Sequence, residues 1–140
     1  MARPTYEKSS DRNAEEIAIK KFINSFDGEV EFIKLPIQYK MDFALTRNGI
    51  ITALVEVKCR KNNKNAYSTY MISMSKLLSA ASYKAIGINC ILLVQWSDQI
   101  GWIQMDDKEW SFKVGGRKDR NDWQDIEPVG HIPIKNFKQI

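Results

Sequence analysis

Asp42, Glu56 and Lys58 are the residues in this chain with the most chemical potential. They lie in the stretch "MDFALTRNGIITALVEVKCRK", Met41 to Lys61. Two acidic side chains sharing a site repel each other unless a cation or a proton intervenes. Carboxylate oxygens suit hard ions such as Mg²⁺, which usually takes one or two of them and keeps several waters. Such an ion polarises a phosphate, lowers the pKa of a bound water and stabilises a leaving oxygen. A lysine beside it can orient the attacking water and offset developing negative charge. Brought onto one face, these three residue types match metal-assisted phosphodiester hydrolysis.

Whether they share a face depends on the strands that carry them. Met41–Thr46 and Ile50–Cys59 read as two strands of a hairpin. Alternation sends Met41, Phe43 and Leu45 one way, and Asp42 and Ala44 the other. On the second strand Ile51, Ala53, Val55 and Val57 share a face opposite to Thr52, Leu54, Glu56 and Lys58. The apolar sets must meet the same core, because a slip of one residue would expose one of them. Odd positions therefore pair with odd, and even with even. A two-residue Asn48-Gly49 loop would pair Arg47 with Ile50 and mix the faces. A three-residue loop, Arg47-Asn48-Gly49, pairs Thr46 with Ile50 and puts Gly49 in the left-handed bulge position. That register sets Asp42 opposite Leu54 and makes Glu56 its diagonal neighbour, about 7–8 Å away between backbones.

Around the hairpin, a first helix is expected from Ser10 or Asp11, both good N-cap residues, to about Phe26. Gly28 ends it. Ile19, Phe22, Ile23 and Phe26 form its apolar stripe. Glu15 lies four residues before Ile19 on that stripe, and Glu16 lies further round. Val30–Tyr39 reads as a strand kinked at Pro36. Met71–Ile86 carries Met71, Met74, Leu77, Leu78, Ala81 and Ala85 at helical spacing, which reads as core packing. Ile88–Trp96 is a near-continuous apolar run, the mark of a central strand buried on both faces. "GWIQMD" and "VGHIPIKNF" supply further strands.

Composition bounds the alternatives. At 140 residues the chain suits one domain spanning 1–140. No apolar run approaches the roughly 18 residues of a membrane span, and "MARPTYEKSSDRN" is no secretory signal. An intracellular protein without membrane attachment is expected. Two cysteines, Cys59 and Cys90, and one histidine, His131, cannot build a four-ligand Cys/His zinc site. No P-loop is visible. Net charge is +4, from 21 Lys+Arg against 17 Asp+Glu, which permits an anionic partner without demanding one. The cations cluster as Lys58, Arg60, Lys61 and Lys64, and as Lys113, Arg117, Lys118 and Arg120.

Asp42 followed by "EVK" on the next strand resembles the PD-(D/E)XK nuclease superfamily. The resemblance covers roughly residues 10 to 105. Met41 stands where the name-giving proline would. An acid-x-Lys triplet alone is weak, expected roughly once or twice by chance in a chain this charged, and "DDK" at Asp106–Lys108 is another. The strand context gives "EVK" its weight. The resemblance implies an α/β fold, an αβββαβ restriction-endonuclease-like core with a mixed sheet flanked by helices, plus extra C-terminal strands. It implies a Mg²⁺-dependent endodeoxyribonuclease, with Mn²⁺ able to substitute. Asp42 and Glu56 would bind the metal, Lys58 would assist the nucleophile, and Glu15, with Glu16 second, would complete the site. Arg60, Lys61, Lys64, Arg117, Lys118 and Arg120 would hold the phosphate backbone. Trp102, Trp110 and Trp123 have either stacking or core roles. The implied partner is nucleic acid, DNA ahead of RNA, recognised by its shape; homodimerisation stays open. The competing readings are a non-catalytic nucleic-acid-binding domain and a protein-interaction domain on the same fold.

Overall fold

The computed structural model describes residues 9–106, 110–116 and 126–140. Helix α1 spans Ser9–Asn24, ending two residues before Phe26, and buries Ile19 and Phe22 of the expected stripe together with Ala18, while Phe26 is exposed. Strand β1 is Glu31–Lys34, shorter than expected. Leu35-Pro36 ends it, and Ile37–Tyr39 forms one 3-10 turn. Pro36 has no N–H to extend the ladder, so the strand stops before it.

Strands β2 (Phe43–Arg47) and β3 (Ile50–Cys59) form the hairpin, but its turn differs from the expectation. Arg47 pairs with Ile50 around a two-residue Asn48-Gly49 turn. Both residues have positive φ, 52° and 77°, as a type I′ turn requires. Parity is restored by a bulge further down, where Thr46 faces Ile51 and Leu45 faces Ala53. Thr52 is the extra residue, and its hydroxyl donates to the Leu45 carbonyl at 3.3 Å. The expected three-residue loop assumed an unbroken ladder. A bulge satisfies the same alternation and keeps the favoured Asn-Gly turn. Beyond it, Phe43 faces Val55, so the register differs by two residues from the one expected.

Thr69–Ser73 is strand β4, and helix α2 runs only from Met74 to Ala85. Met71, expected in the helix from its spacing to Met74, is an exposed strand residue between buried Tyr70 and Ile72. Ser73 marks the boundary, its hydroxyl accepting from the Ser75 N–H as an N-cap. The remaining strands are β5 (Asn89–Gln95), β6 (Ile100–Gln104), β7 (Ser111–Gly116), β8 (Ile126–Pro133) and β9 (Lys138–Gln139).

A six-stranded sheet has the order β1-β2-β3-β5-β6-β9, and a separate three-stranded sheet the order β4-β8-β7. The β3–β5 pair is parallel and the others are antiparallel. The αβββαβ core and mixed sheet are therefore present, with β4 inserted before the second helix. Odd-numbered hairpin residues Phe43, Leu45, Ala53, Val55 and Val57 pack with Leu93 against α1. Ala44, Leu54, Leu92 and Val94 pack on the other face with residues of α2 and the second sheet. Both faces of the hairpin are covered, where the sequence suggested one apolar face. Met41 joins the second cluster, not that of Phe43.

The turn can be tested at Gly49. A Cβ there would meet no atom within 4 Å, so any cost is conformational alone. Gly49→Ala should lower stability by about 1 kcal/mol, read as a reduced denaturation midpoint at unchanged m-value. A neutral substitution would contradict the left-handed turn.

Candidate functional site

Glu56 occupies the middle of β3, flanked by β2 and by β5, where Leu92 is its partner. Only 2% of it is exposed. The same face carries Leu54 before it and Lys58 after it. Lys58 Nζ lies 3.7 Å from Glu56 Oε1, its side chain 38% exposed. Asp42 precedes β2, whose pairing with β3 ends at Phe43–Val55. Its own hydrogen bonds reach Val55 and Val57, the residues on either side of Glu56, so the two acids are neighbours across the strands, where the longer loop predicts a diagonal relation.

Asp42 is tied to the backbone as well as to the site. Its N–H donates to the Val55 carbonyl at 3.0 Å, and its carbonyl accepts from the Leu35 N–H at 2.9 Å. Its Oδ2 accepts from the Val57 N–H at 2.8 Å. The side chain thus takes a hydrogen bond on β3 that a neighbouring strand carbonyl would otherwise accept, which fixes the carboxylate's direction. The other oxygen, Oδ1, lies 3.5 Å from Lys34 Nζ.

Two lysines that sequence reasoning missed complete the arrangement. Lys34, at the end of β1, bridges Asp42 and Glu15, lying 3.6 Å from Glu15 Oε2 and over the Phe43 ring at 5.1 Å. Its register position opposite Phe43 is the signal that could have found it. Lys76, on the first turns of α2, lies 2.7 Å from Glu56 Oε2 and donates to the Lys40 carbonyl at 2.6 Å. No local pattern marks Lys76, because the fold of the second sheet sets its position. Glu15 faces the site through Lys34 with its side chain 16% exposed, whereas Glu16 is exposed on the helix.

Arg60 and Lys64 lie past the end of β3, with Arg60 over the Tyr70 ring at 5.1 Å and Lys64 over Trp96 at 6.0 Å. Lys61 is exposed beside them, and Lys113 is exposed on β7. Arg117, Lys118, Arg120 and Trp123 lie outside the described residues, as does most of "DDK". Trp110 is buried in one core, and half-buried Trp102 packs on Phe22, ring centroids 5.7 Å apart. Both therefore have core positions. Of the cysteines, Cys90 is buried and Cys59 exposed.

Burial dominates the electrostatics. It pushes the Glu56 carboxyl up to about 7, Asp42 pushes the same way, and Lys58 and Lys76 oppose both. An acid that ionises this reluctantly has a standing demand for positive charge.

The sign of the resulting linkage is fixed. A carboxyl whose pKa is raised by folding contributes stability that is fully present below its unfolded pKa, near 4.5, and is lost as pH rises through its folded pKa, near 7. Glu56→Gln removes this loss. In chelator, the melting temperature of Glu56→Gln should match the parent at pH 4, below the unfolded value, and exceed it increasingly up to pH 8. A constant difference across that range would show that Glu56 ionises normally.

No curated protein matches the chain. Among solved structures, it resembles Archaeoglobus fulgidus Hjc, a Holliday junction resolvase from an archaeal hyperthermophile, with a TM-score of 0.56 at 9% identity. The superposition covers 91% of this chain and 92% of that one, and at that identity it establishes a shared fold. One helix, three antiparallel strands, a second helix and a parallel strand thus follow the fold of that structure. The family described as "Phage putative PDDEXK endonuclease" matches residues 1–140, and this chain, with its acids and lysine on that core, belongs to that nuclease family.

Proposed function

We propose that the chain is a divalent-metal-dependent endonuclease of DNA, directed to its substrate by shape. The observation that carries this reading is Asp42 hydrogen-bonded to Val55 and Val57, on either side of buried Glu56, with Lys58 Nζ 3.7 Å from Glu56. Two oxygen-donor acids suit a hard divalent cation. Among the described residues no group of three or more His, Cys, Asp or Glu side chains is placed to hold a metal ion. The donor set therefore fits an ion that keeps water and takes phosphate oxygens, as Mg²⁺ does, with Mn²⁺ as a substitute. Bound there, the cation would supply Lewis acidity toward the scissile phosphate.

The chain's own residues divide the remaining work. Asp42 and Glu56 would hold the ion. The Val57 N–H keeps Asp42 aimed, and Lys76 steadies Glu56. Lys58 would orient the attacking water and offset charge on the phosphate through its ammonium group. Glu15 acts through Lys34, holding that lysine beside Asp42. Arg60, Lys61 and Lys64 would grip the phosphodiester backbone without reading bases, joined by Arg117, Lys118 and Arg120. The likeness to a Holliday junction resolvase favours branched DNA among the possible shapes.

The test is incubation with plasmid, single-stranded, branched and RNA substrates, with Mg²⁺, with Mn²⁺ and with chelator. Cleavage should require the metal and favour branched or otherwise irregular DNA. Lys58→Ala should lose roughly two to three orders of magnitude in rate; equal cleavage by that variant would overturn the mechanism. Protons and the cation compete for Glu56. The Mg²⁺ concentration for half-maximal rate should therefore rise as pH falls below about 7.

A further inference from the structure

Beyond the acidic site, the β3 strand continues toward a cavity of about 390 Å³. That size falls in the range of small-ligand pockets, roughly 300–1,000 Å³. It lies between the end of the main sheet and the second sheet, and its walls combine three chemistries. Arg60 and Lys64 are cationic, and no carboxylate of the described residues lines it. Tyr67, Tyr70, Trp96 and Ile134 are aromatic or apolar. Asn62, Thr69 and His131 offer hydrogen-bonding groups, with Thr69 Oγ1 3.1 Å from His131 Nδ1. Tyr67 is 67% exposed.

An anion with a flat aromatic part and polar edges fits such walls, which is the description of a nucleotide. We infer that this cavity receives one unstacked nucleotide of the substrate strand, its phosphate on Arg60 and Lys64 and its base against Tyr67. This rests on the endonuclease reading above and names the feature by which shape is recognised. Position supports it. Arg60 is two residues beyond Lys58 on the same strand direction, its N–H still on the Gln95 carbonyl at 2.8 Å. Four residues of strand, about 13 Å, separate Glu56 from Arg60. Tyr70, under Arg60 at 5.1 Å, also feels the charge of Glu56. A strand with a phosphodiester at Glu56 and running along β3 would pass the cavity mouth.

Substrate form follows from the walls. Bases in an intact duplex present only their edges, so an aromatic-walled recess is reached by a base turned out of the stack. Stacking on aromatic rings and on guanidinium planes is tolerant of sequence. The faces of Tyr70 and Trp96 already carry Arg60 and Lys64, so these cations form part of the floor on which a base and its phosphate would rest. Exposed Tyr67 is left as the stacking ring at the mouth.

The test is fluorescence anisotropy in chelator, comparing a duplex carrying a one-nucleotide bulge with a fully paired duplex of equal length. The parent should prefer the bulged duplex by about tenfold, and Tyr67→Ala should bring that ratio close to one. Free nucleoside monophosphate should compete only at far higher concentration than the bulged strand. An equal affinity for both duplexes, a ratio unchanged in Tyr67→Ala, or a free nucleotide binding as tightly as the bulged strand would each overturn the pocket. Cleavage assays with Mg²⁺ separate the two readings. A parent that cleaves DNA without bulge preference loses the pocket alone, and one that neither binds nor cleaves any nucleic acid loses both.

Discussion

The charge on Glu56 is the constraint around which the site is arranged. A carboxylate almost fully removed from water costs several kcal/mol unless other groups answer its charge. Lys58 answers from the same strand, and Lys76 answers from α2. Lys76 can do so only because α2 sits over this face of the sheet. That seat depends on β4 running directly into the helix at Ser73, and on β8 passing close beneath it. Gly130 of β8 comes so near Leu77 that a Cβ there would lie 2.9 Å from the Leu77 Cδ1. The second sheet thus contributes to the site without supplying one of its acids.

The opposite face has its own requirement. Phe43, Leu45, Val55 and Val57 are covered by α1, and this packing brings Glu15 to the margin where β1 ends. Lys34 then joins the helix acid to Asp42 across that margin. The three acids and three lysines form two clusters, one from each side of the sheet, which meet at Asp42 and Glu56. Removing a lysine from either cluster leaves its acids under-compensated, so the residues respond together and not as independent contributors.

Much of this was legible in the residues. Alternation put Glu56 and Lys58 on one face of β3 and Asp42 on the neighbouring strand; it did not carry through Asp42 itself, since Met41 packs with the cluster opposite to that of Phe43. The turn was not legible, since an even pairing can come from a three-residue loop or from a two-residue turn plus one extra residue. Thr52 has no composition cue that marks it as the extra one. Met71 was drawn into the helix because its spacing to Met74 suits one; the alternation of Tyr70 and Ile72 around it was the stronger signal. Glu15 over Glu16 followed from the helical stripe. Lys34 was readable from the register of β1, whereas Lys76 depends on packing between distant elements, for which local pattern holds no information.

The bulge at Thr52 has a mechanical consequence. It lies between the hairpin tip and the acids, so it acts as a slack joint. A tip longer by one residue could exchange its turn type for loss of the bulge, and Asp42 would still face β3 with the same parity. The distal end, with Ile50 70% exposed and Ile51 46% exposed, is thereby insulated from the chemistry. It is the natural place to open the chain for circular permutation, or to carry a fluorophore, without disturbing the carboxylates.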